Sequence, residues 1–522
     1  MSFLDAAFLF GFLPLSLAFF FGASRLWGRT GGLVVLLAAS LIFCLPFGAG
    51  FTTLVVLNAL GDYVVCLALA RGAARPGVYV VLGVLLNIGL LAVLKYNSAF
   101  AIVPHSQHVI RTLSALVPTT ISFLTFQRMV LVLDSRRGER GAVSLLLPHG
   151  EPKEARRPLP FFVFVSAFPN LVIGPIAYAS EIAPQLLRRS FGRFRVVDLQ
   201  VGVTLLVFGM FKKVVLADPL GDTIVNPVFD RIHRHMPVVG AEVIVAVITY
   251  TAQLYFDFSG YSDIAIGIGR MFGVRLPINF NSPLRASGIT DFYKRWHITL
   301  TRIIVRFLFQ PLAIWGARFS AEKRWRGLLG RIPSAWIPLL INFEIIGLWH
   351  GAAWTYVAFG LYHGVWFVLE TEMRATSWWK RYHKTTSDTL QRVLGQVVTF
   401  APLALSFALF RSRSLADFAA LFGYLPRGWR ELLHHGAARV INNSSYPLLL
   451  AAFAIIWLLP NCYELLRRYR PGFWTFPAPS RTPAFAFWVW QPTLFWGLVS
   501  LAAAIAVLVK LGNPAPFVYG GF

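Results

Sequence analysis

Long apolar stretches separated by short, mostly basic breaks recur along the whole 522-residue chain, near residues 6–23, 32–48, 51–70, 77–94, 112–133, 159–178, 197–217, 239–258, 333–349, 352–369, 394–410, 446–463 and 486–510. A hydrocarbon core about 30 Å thick is crossed by roughly 20 residues of helix. The pattern therefore predicts an all-α polytopic membrane protein with about eleven full spans, and the charges between the runs decide which runs are not spans. "RLWGR" (25–29) and "RGAAR" (71–75) flank two runs joined by the short "FGAG", which puts both clusters in the cytoplasm and the N-terminus outside. The same reasoning places "SRRGERGAVSLLLPHGEPKEARR" (135–157) and "LLRRSFGRFR" (186–195) on the cytoplasmic side. The run between them has basic flanks at both ends and contains Pro169, Gly174 and Pro175. It reads as a re-entrant hairpin whose non-helical backbone is buried in protein.

The middle of the chain differs in kind. From "YFDFSGYSDIAIGIGRMFG" (255–273) through "NFNSPLRASGITDFYKRWHITLTRIIVRFLFQPL" (279–312), polar and charged residues interleave with apolar ones. Asp257 and Asp263 stand in otherwise apolar sequence, so each is expected to face protein or a water-filled cavity. Taken as one helix at about 100° per residue, residues 291–309 carry Asp291, Arg295, Arg302 and Arg306 on one stripe. Tyr293, Leu300, Ile304 and His297 fall on the other side. Such an amphipathic element belongs at the cytoplasmic interface, with its arginines toward headgroups. An imidazole turned inward from it needs a partner or a purpose.

Composition agrees with a membrane protein: 56% of residues are hydrophobic and 14% charged, against roughly 25% charged in soluble domains. The formal charge of +25 comes from short Lys and Arg clusters between apolar runs. They point to loops held against anionic lipid and away from nucleic-acid binding. Cys44, Cys66 and Cys462 are scattered, which suggests neither a disulfide framework nor a metal site. The N-terminal stretch has an acid and no basic region ahead of its apolar run, and reads as a retained first span. Residues 371–392 read as an interfacial connector and the aromatic, proline-rich 473–490 as a membrane-belt segment. The whole chain, 1–522, is read as a single integral membrane domain.

The candidate chemistry lies in "IIGLWHGAAWTY" (345–356), where His350 stands between a tryptophan and a glycine. Trp349 and Trp354 are expected to wall out water, and Gly347 and Gly351 to let a backbone or a thin substrate come close. An imidazole so placed is a candidate general base; the alternative is a histidine bonded between helices for structure alone. His363 lies on a different helical face from His350 and is expected to be structural, and Glu344 is not at dyad spacing from His350. "HKTTSD" (383–388) spells an H-x4-D pattern in a polar loop, by chance. No G-x-S-x-G elbow, P-loop or H-E-x-x-H motif occurs, so covalent serine catalysis and nucleotide hydrolysis lose support. The intramembrane acids Asp257, Asp263 and Glu344 keep two other classes open: a transporter or flippase of a lipid-linked saccharide, and a structural subunit of a polysaccharide export complex. A transporter would predict internal repeat symmetry, and none is evident.

Three segments, "YFDFSGYSDIAIGIGRMFG", "INFNSPLRASGITDFYKRWHITLT" and "GLWHGAAWTYVAFGLYHG", together resemble the signature of membrane-bound O-acyltransferases. The match is to the bacterial branch that serves alginate O-acetylation and teichoic acid D-alanylation. "LKYNSAF" (94–100), "ISFLTFQ" (121–127), "NLVIGPI" (170–176) and "FGMFKKVVLADPL" (208–220) extend the resemblance, which covers a core of about 90–370 between flanking helices in 1–90 and 390–522. The resemblance implies a ring of helices, with re-entrant and interfacial pieces, around a central tunnel. It implies that His350 is the catalytic histidine and that His297 is the second histidine of this branch, at a place where eukaryotic relatives have asparagine. It implies no bound cofactor or metal. The donor would be acetyl-CoA or another acyl thioester, and the acceptor a hydroxyl of an exported polysaccharide reached through a periplasmic transferase partner. The setting would be the bacterial inner membrane. Candidate substrate contacts are Tyr255, Asp257, Ser259, Asp263, Asn281, Asp291, Arg295, Trp296, Trp349 and Trp354, with His297, Arg295 and Asn281 placed to bind the donor or a developing oxyanion.

Overall fold

A computed structural model describes residues 2–96, 120–147, 158–171, 174–435, 445–473, 488–512, 515, 517 and 518. Their regular structure is helical, as the apolar pattern predicts. Among them, seven helices are long and apolar enough to cross a membrane, and four shorter apolar helices accompany them at Pro76–Leu91, Leu159–Leu171, Tyr446–Leu458 and Leu494–Lys510. Residues 97–100 of "LKYNSAF", 172–173 of "NLVIGPI", 148–157 of the basic loop and 474–487 of the aromatic belt segment lie outside the described residues. Where the sequence reading has one domain, packing sorts the chain into two compact units. One contains Met1–Phe211, Gly260–Ile278 and Cys462–Pro514, the other Lys212–Ser259, Asn279–Asn461 and Ala515–Phe522.

In the first unit, the run around Pro169 is broken, as its prolines and glycine dictate. Leu159–Ser166 is helical, Ala167 leaves the helix at ψ 120°, and Phe168–Leu171 makes a further turn. Gly174 to Tyr178 carries no helix before Ala179–Leu187 begins. Eight helical residues span about 12 Å, far short of a bilayer. The freed backbone groups find side chains: Gln127 donates to the Phe164 carbonyl at 2.9 Å, Arg128 to the Val165 carbonyl at 3.2 Å, and the Phe168 amide to Ser40 Oγ at 3.0 Å. Elsewhere the unit is held by close backbone approach. A Cβ on Gly202 would stand 2.7 Å from the Gly267 carbonyl oxygen, and one on Gly209 would stand 2.6 Å from that of Gly260. The Val196–Met210 helix and the end of Gly240–Met271 thus meet along a small-residue seam, the packing that works where lipid offers no hydrophobic drive.

In the second unit, Ile337–His350 and Trp354–Ala375 form an antiparallel hairpin, and again glycines set the distance. A Cβ on Gly347 would meet the Tyr356 carbonyl oxygen at 2.3 Å, and one on Gly360 would meet that of Phe343 at 2.6 Å. The far end of the hairpin is fastened by Glu372, which accepts from Arg331 at 2.5 Å and from Trp336 Nε1 at 2.9 Å. The single amphipathic helix expected over 291–309 is not found. Ile289–Tyr293 is a short helix, residues 294–297 are non-helical, and helix resumes at Ile298 and runs on to Glu322. His297, immediately before the second piece, takes left-handed backbone angles (φ 44°, ψ 48°) through which a helix cannot run on. The piece from Ile298 is long and apolar enough to cross a membrane, so the purely interfacial reading of this region is corrected as well.

Gly347→Ala is expected to destabilise the protein by about 1–3 kcal/mol through overpacking against a fixed carbonyl, read as a lower unfolding midpoint in detergent. Gly423→Ala, where an added Cβ meets nothing within 4 Å, is the matched control and should leave the midpoint unchanged or raise it.

Candidate active site

His350 is the last residue of its helix, and Gly351 follows in an extended conformation at φ 172°. A Cβ on Gly351 would lie 2.6 Å from the Tyr356 ring, so the glycine makes room for that tyrosine as it folds back. The partly buried His350 imidazole is surrounded by aromatic rings: Trp349 at 4.8 Å, Phe410 edge-on at 4.9 Å, Phe359 at 6.0 Å and Tyr356 at 6.2 Å. The spaces that Gly347 and Gly351 leave are taken by the backbone and ring of Tyr356, so in this structure both serve packing.

His297 is buried in the same unit. Its Nδ1 is 3.2 Å from Asn279 Oδ1, Phe258 stands edge-on at 4.9 Å, and Trp349 is 5.9 Å away. Trp349 therefore touches both imidazoles. Burial pushes the His297 pKa down to about 3, because the charged form loses its hydration, and the ring is neutral at physiological pH.

The other sequence candidates divide. Trp296 is packed among Phe280, Phe407 and a stacked Phe292, and Tyr255 against Phe256 and Phe280, so both brace the His297 wall through apolar contact. Arg295 donates to Asp291 at 2.8 Å, Asp291 also accepts the Ser287 amide, and Asn281 accepts from Asn461 at 3.2 Å. These three polar residues hold the connector that carries His297. Ser259 is buried on the Gly240–Met271 helix. Trp354 is 74% exposed and does not wall His350, since the chain has already turned away there. Asp263 belongs to the first unit, where Tyr463 donates to it at 2.5 Å. Asp257 is fully buried and paired with Lys213 at 2.5 Å; Asp218 holds the same ammonium at 2.7 Å. The Ala515 and Val518 amides donate to Asp218 and Asp257. His363 lies among Phe359, Tyr293 and Trp366, a packing position as expected.

Sequence reasoning missed Asn279, Lys213, Phe258 and Phe410. An intramembrane lysine is as telling as an intramembrane acid, so Lys213 in "FGMFKKVV" was there to be found. The partner of His297 lies in the quoted "NFN" but 18 residues upstream, where no local period points to it. A cavity of about 700 Å³, lined by Glu370, Arg374, Trp379, Tyr382, Arg392 and Val398 among others, lies toward the far end of the hairpin. Neither imidazole lines it.

The described residues form an all-helical polytopic protein, and comparisons with known proteins place it in a family. The chain belongs to the membrane-bound O-acyltransferase family, whose profile matches residues 151–398. It is 31% identical to a peptidoglycan O-acetyltransferase of Helicobacter pylori over 78% of this chain and 76% of that one. It is 28% identical to a probable alginate O-acetylase of Pseudomonas putida over the full length of both. A teichoic acid D-alanyltransferase of Streptococcus thermophilus is 25% identical over 56% of this chain and 67% of that one. The protein is a multi-pass membrane acyltransferase.

Lys213→Met leaves two buried carboxylates without their cation, which costs about 3–5 kcal/mol; folded yield and unfolding midpoint in detergent should fall, and adding Asp257→Asn should restore part of the loss. Trp349→Ala should depress acyl transfer strongly, while Trp354→Ala should stay within about twofold of wild type, because truncating an exposed side chain disturbs little. Comparing the initial rates of the two variants checks this.

Proposed function

We propose that this protein transfers an acetyl group from a cytoplasmic thioester, acetyl-CoA or an acylated carrier, to a hydroxyl destined for an exported polysaccharide. His350 is the general base. It takes the proton of the acceptor hydroxyl as that oxygen bonds to the thioester carbonyl carbon. Collapse of the tetrahedral adduct breaks the carbon–sulfur bond, and the imidazolium returns the proton to the departing sulfur, leaving an ester and a free thiol. His297 assists from the other contact of Trp349. The observation that carries this reading is that shared contact: two imidazoles on one indole, one buried and neutral, the other partly open at a helix end.

The acceptor class follows from the relatives, whose names specify peptidoglycan, alginate and teichoic acid. Because the thioester is cytosolic and such glycans lie outside, the setting is the bacterial inner membrane, a passage reaches His350 from both faces, and a periplasmic transferase completes delivery. Transport of a lipid-linked saccharide has less support. The buried acids that would serve a polar pathway are engaged, Asp257 by Lys213 and Asp263 by Tyr463.

The purified protein in lipid vesicles, given labelled acetyl-CoA on one side and a simple hydroxyl acceptor on the other, should carry label across the membrane into ester linkage. His350→Ala should lower that rate by about 10²–10⁴-fold, the usual worth of a general base, with folded yield unchanged. His297→Ala should lose only part of the activity. Label transfer by His350→Ala at the wild-type rate would remove His350 from the role.

A further inference from the structure

His297 has a second nitrogen whose protonation is decided by a residue outside the histidine pair. Its Nδ1 lies 3.2 Å from Asn279 Oδ1, and the same oxygen is 3.2 Å from the Thr299 amide nitrogen and 2.9 Å from Thr299 Oγ1. A backbone N–H can only donate, so the Asn279 atom that meets it is the carbonyl oxygen and not the amide nitrogen. An oxygen can only accept here, so the hydrogen between Asn279 and His297 sits on Nδ1. The main chain fixes the same register: the Asn279 carbonyl accepts the Ile298 amide at 3.0 Å. Asn279 is completely buried, which makes the arrangement hard to exchange for water.

We infer that Asn279 is a positioning residue that locks His297 in the Nδ1–H tautomer, so that His297 presents a lone pair at Nε2 and enters the reaction as a hydrogen-bond acceptor. An acceptor cannot stabilise an oxyanion, so the oxyanion role considered for His297 is replaced. It can hold a hydroxyl or thiol hydrogen and orient the atom that bears it. The tautomer rests on the hydrogen bonds alone, while its catalytic meaning rests on the acyl-transfer reading above. The groups that face His297 include Asn279 and the rings of Phe258, Phe280 and Trp349. The titratable groups around it are His350, which shares Trp349, and the Asp291–Arg295 pair on its own segment.

The test uses the full-length protein in vesicles with histidine labelled by ¹⁵N at both ring nitrogens, the His297→Asn variant identifying the His297 signals. Between about pH 6 and 8, where an ordinary imidazole titrates, His297 should show a protonated Nδ1 and a bare Nε2 throughout. An Nε2–H tautomer or an imidazolium at this position overturns the inference whatever the activity. In the second arm, Asn279→Asp keeps an acceptor at Nδ1–H but adds a negative charge, which raises the pKa of His297. The ring then protonates below that raised value and loses its lone pair, so the pH profile of the His297 Nε2 signal should move to higher pH than in the wild type. Asn279→Leu should lower kcat by no more than His297→Asn does and should cost nothing further when added to it. An unshifted profile in Asn279→Asp, or additive losses in the double variant, overturns the positioning role. Should His350→Ala prove active, the acyl-transfer reading falls while the nitrogen signals of His297 stand or fall by themselves.

Discussion

The constraint on which this structure turns is that backbone amides and carbonyls inside a membrane protein must be bonded, and water is not there to do it. Helices meet the condition by themselves. The non-helical stretch that leads to His297 cannot, and its path is drawn by side chains that reach in from other elements of its unit. Glu370 accepts the Ile289 and Thr290 amides and the Thr290 hydroxyl. Arg285 donates to the carbonyls of Ile456 and Leu459, Gln396 donates to the Arg285 carbonyl, and Trp457 to that of Leu284. A buried backbone group left without such a bond would cost the fold about 1–3 kcal/mol. The broken run around Ala167 in the first unit is solved the same way, by Gln127 and Arg128.

The same requirement explains the buried charges. Lys213 with Asp218 and Asp257, and Arg270 with Asp198 at 2.8 Å, bring opposite charges together where an isolated one would be expensive. Asp62 accepts from Asn87 at 2.7 Å beside Arg128. Polar residues in apolar sequence are therefore not all functional. Of the acids picked out as candidates, Asp257 and Asp263 are held by partners and Asp291 by its own neighbour Arg295. What distinguishes the histidine pair is the aromatic surface around it.

Helix content and the broken 159–178 segment were legible because each depends on local signals: apolar run length, and proline and glycine. The interruption at 294–297 was not, because its cause lies 18–20 residues upstream in Asn279, while the local period over 291–309 remains helical. Trp354 was misread for a related reason. Proximity along the chain suggested a second wall for His350, but the turn at Gly351 sends Tyr356 inward and leaves the tryptophan outside. Ring partners such as Phe258 and Phe410 come from distant helices and have no signature in sequence at all.

The left-handed backbone at His297 limits which amino acids evolution can place there before any chemistry is considered. Bulky β-branched side chains are genuine outliers in that conformation, whereas histidine, asparagine and aspartate are several-fold enriched in it. Histidine and asparagine are thus two members of one small permitted alphabet, both able to stand on the same bend.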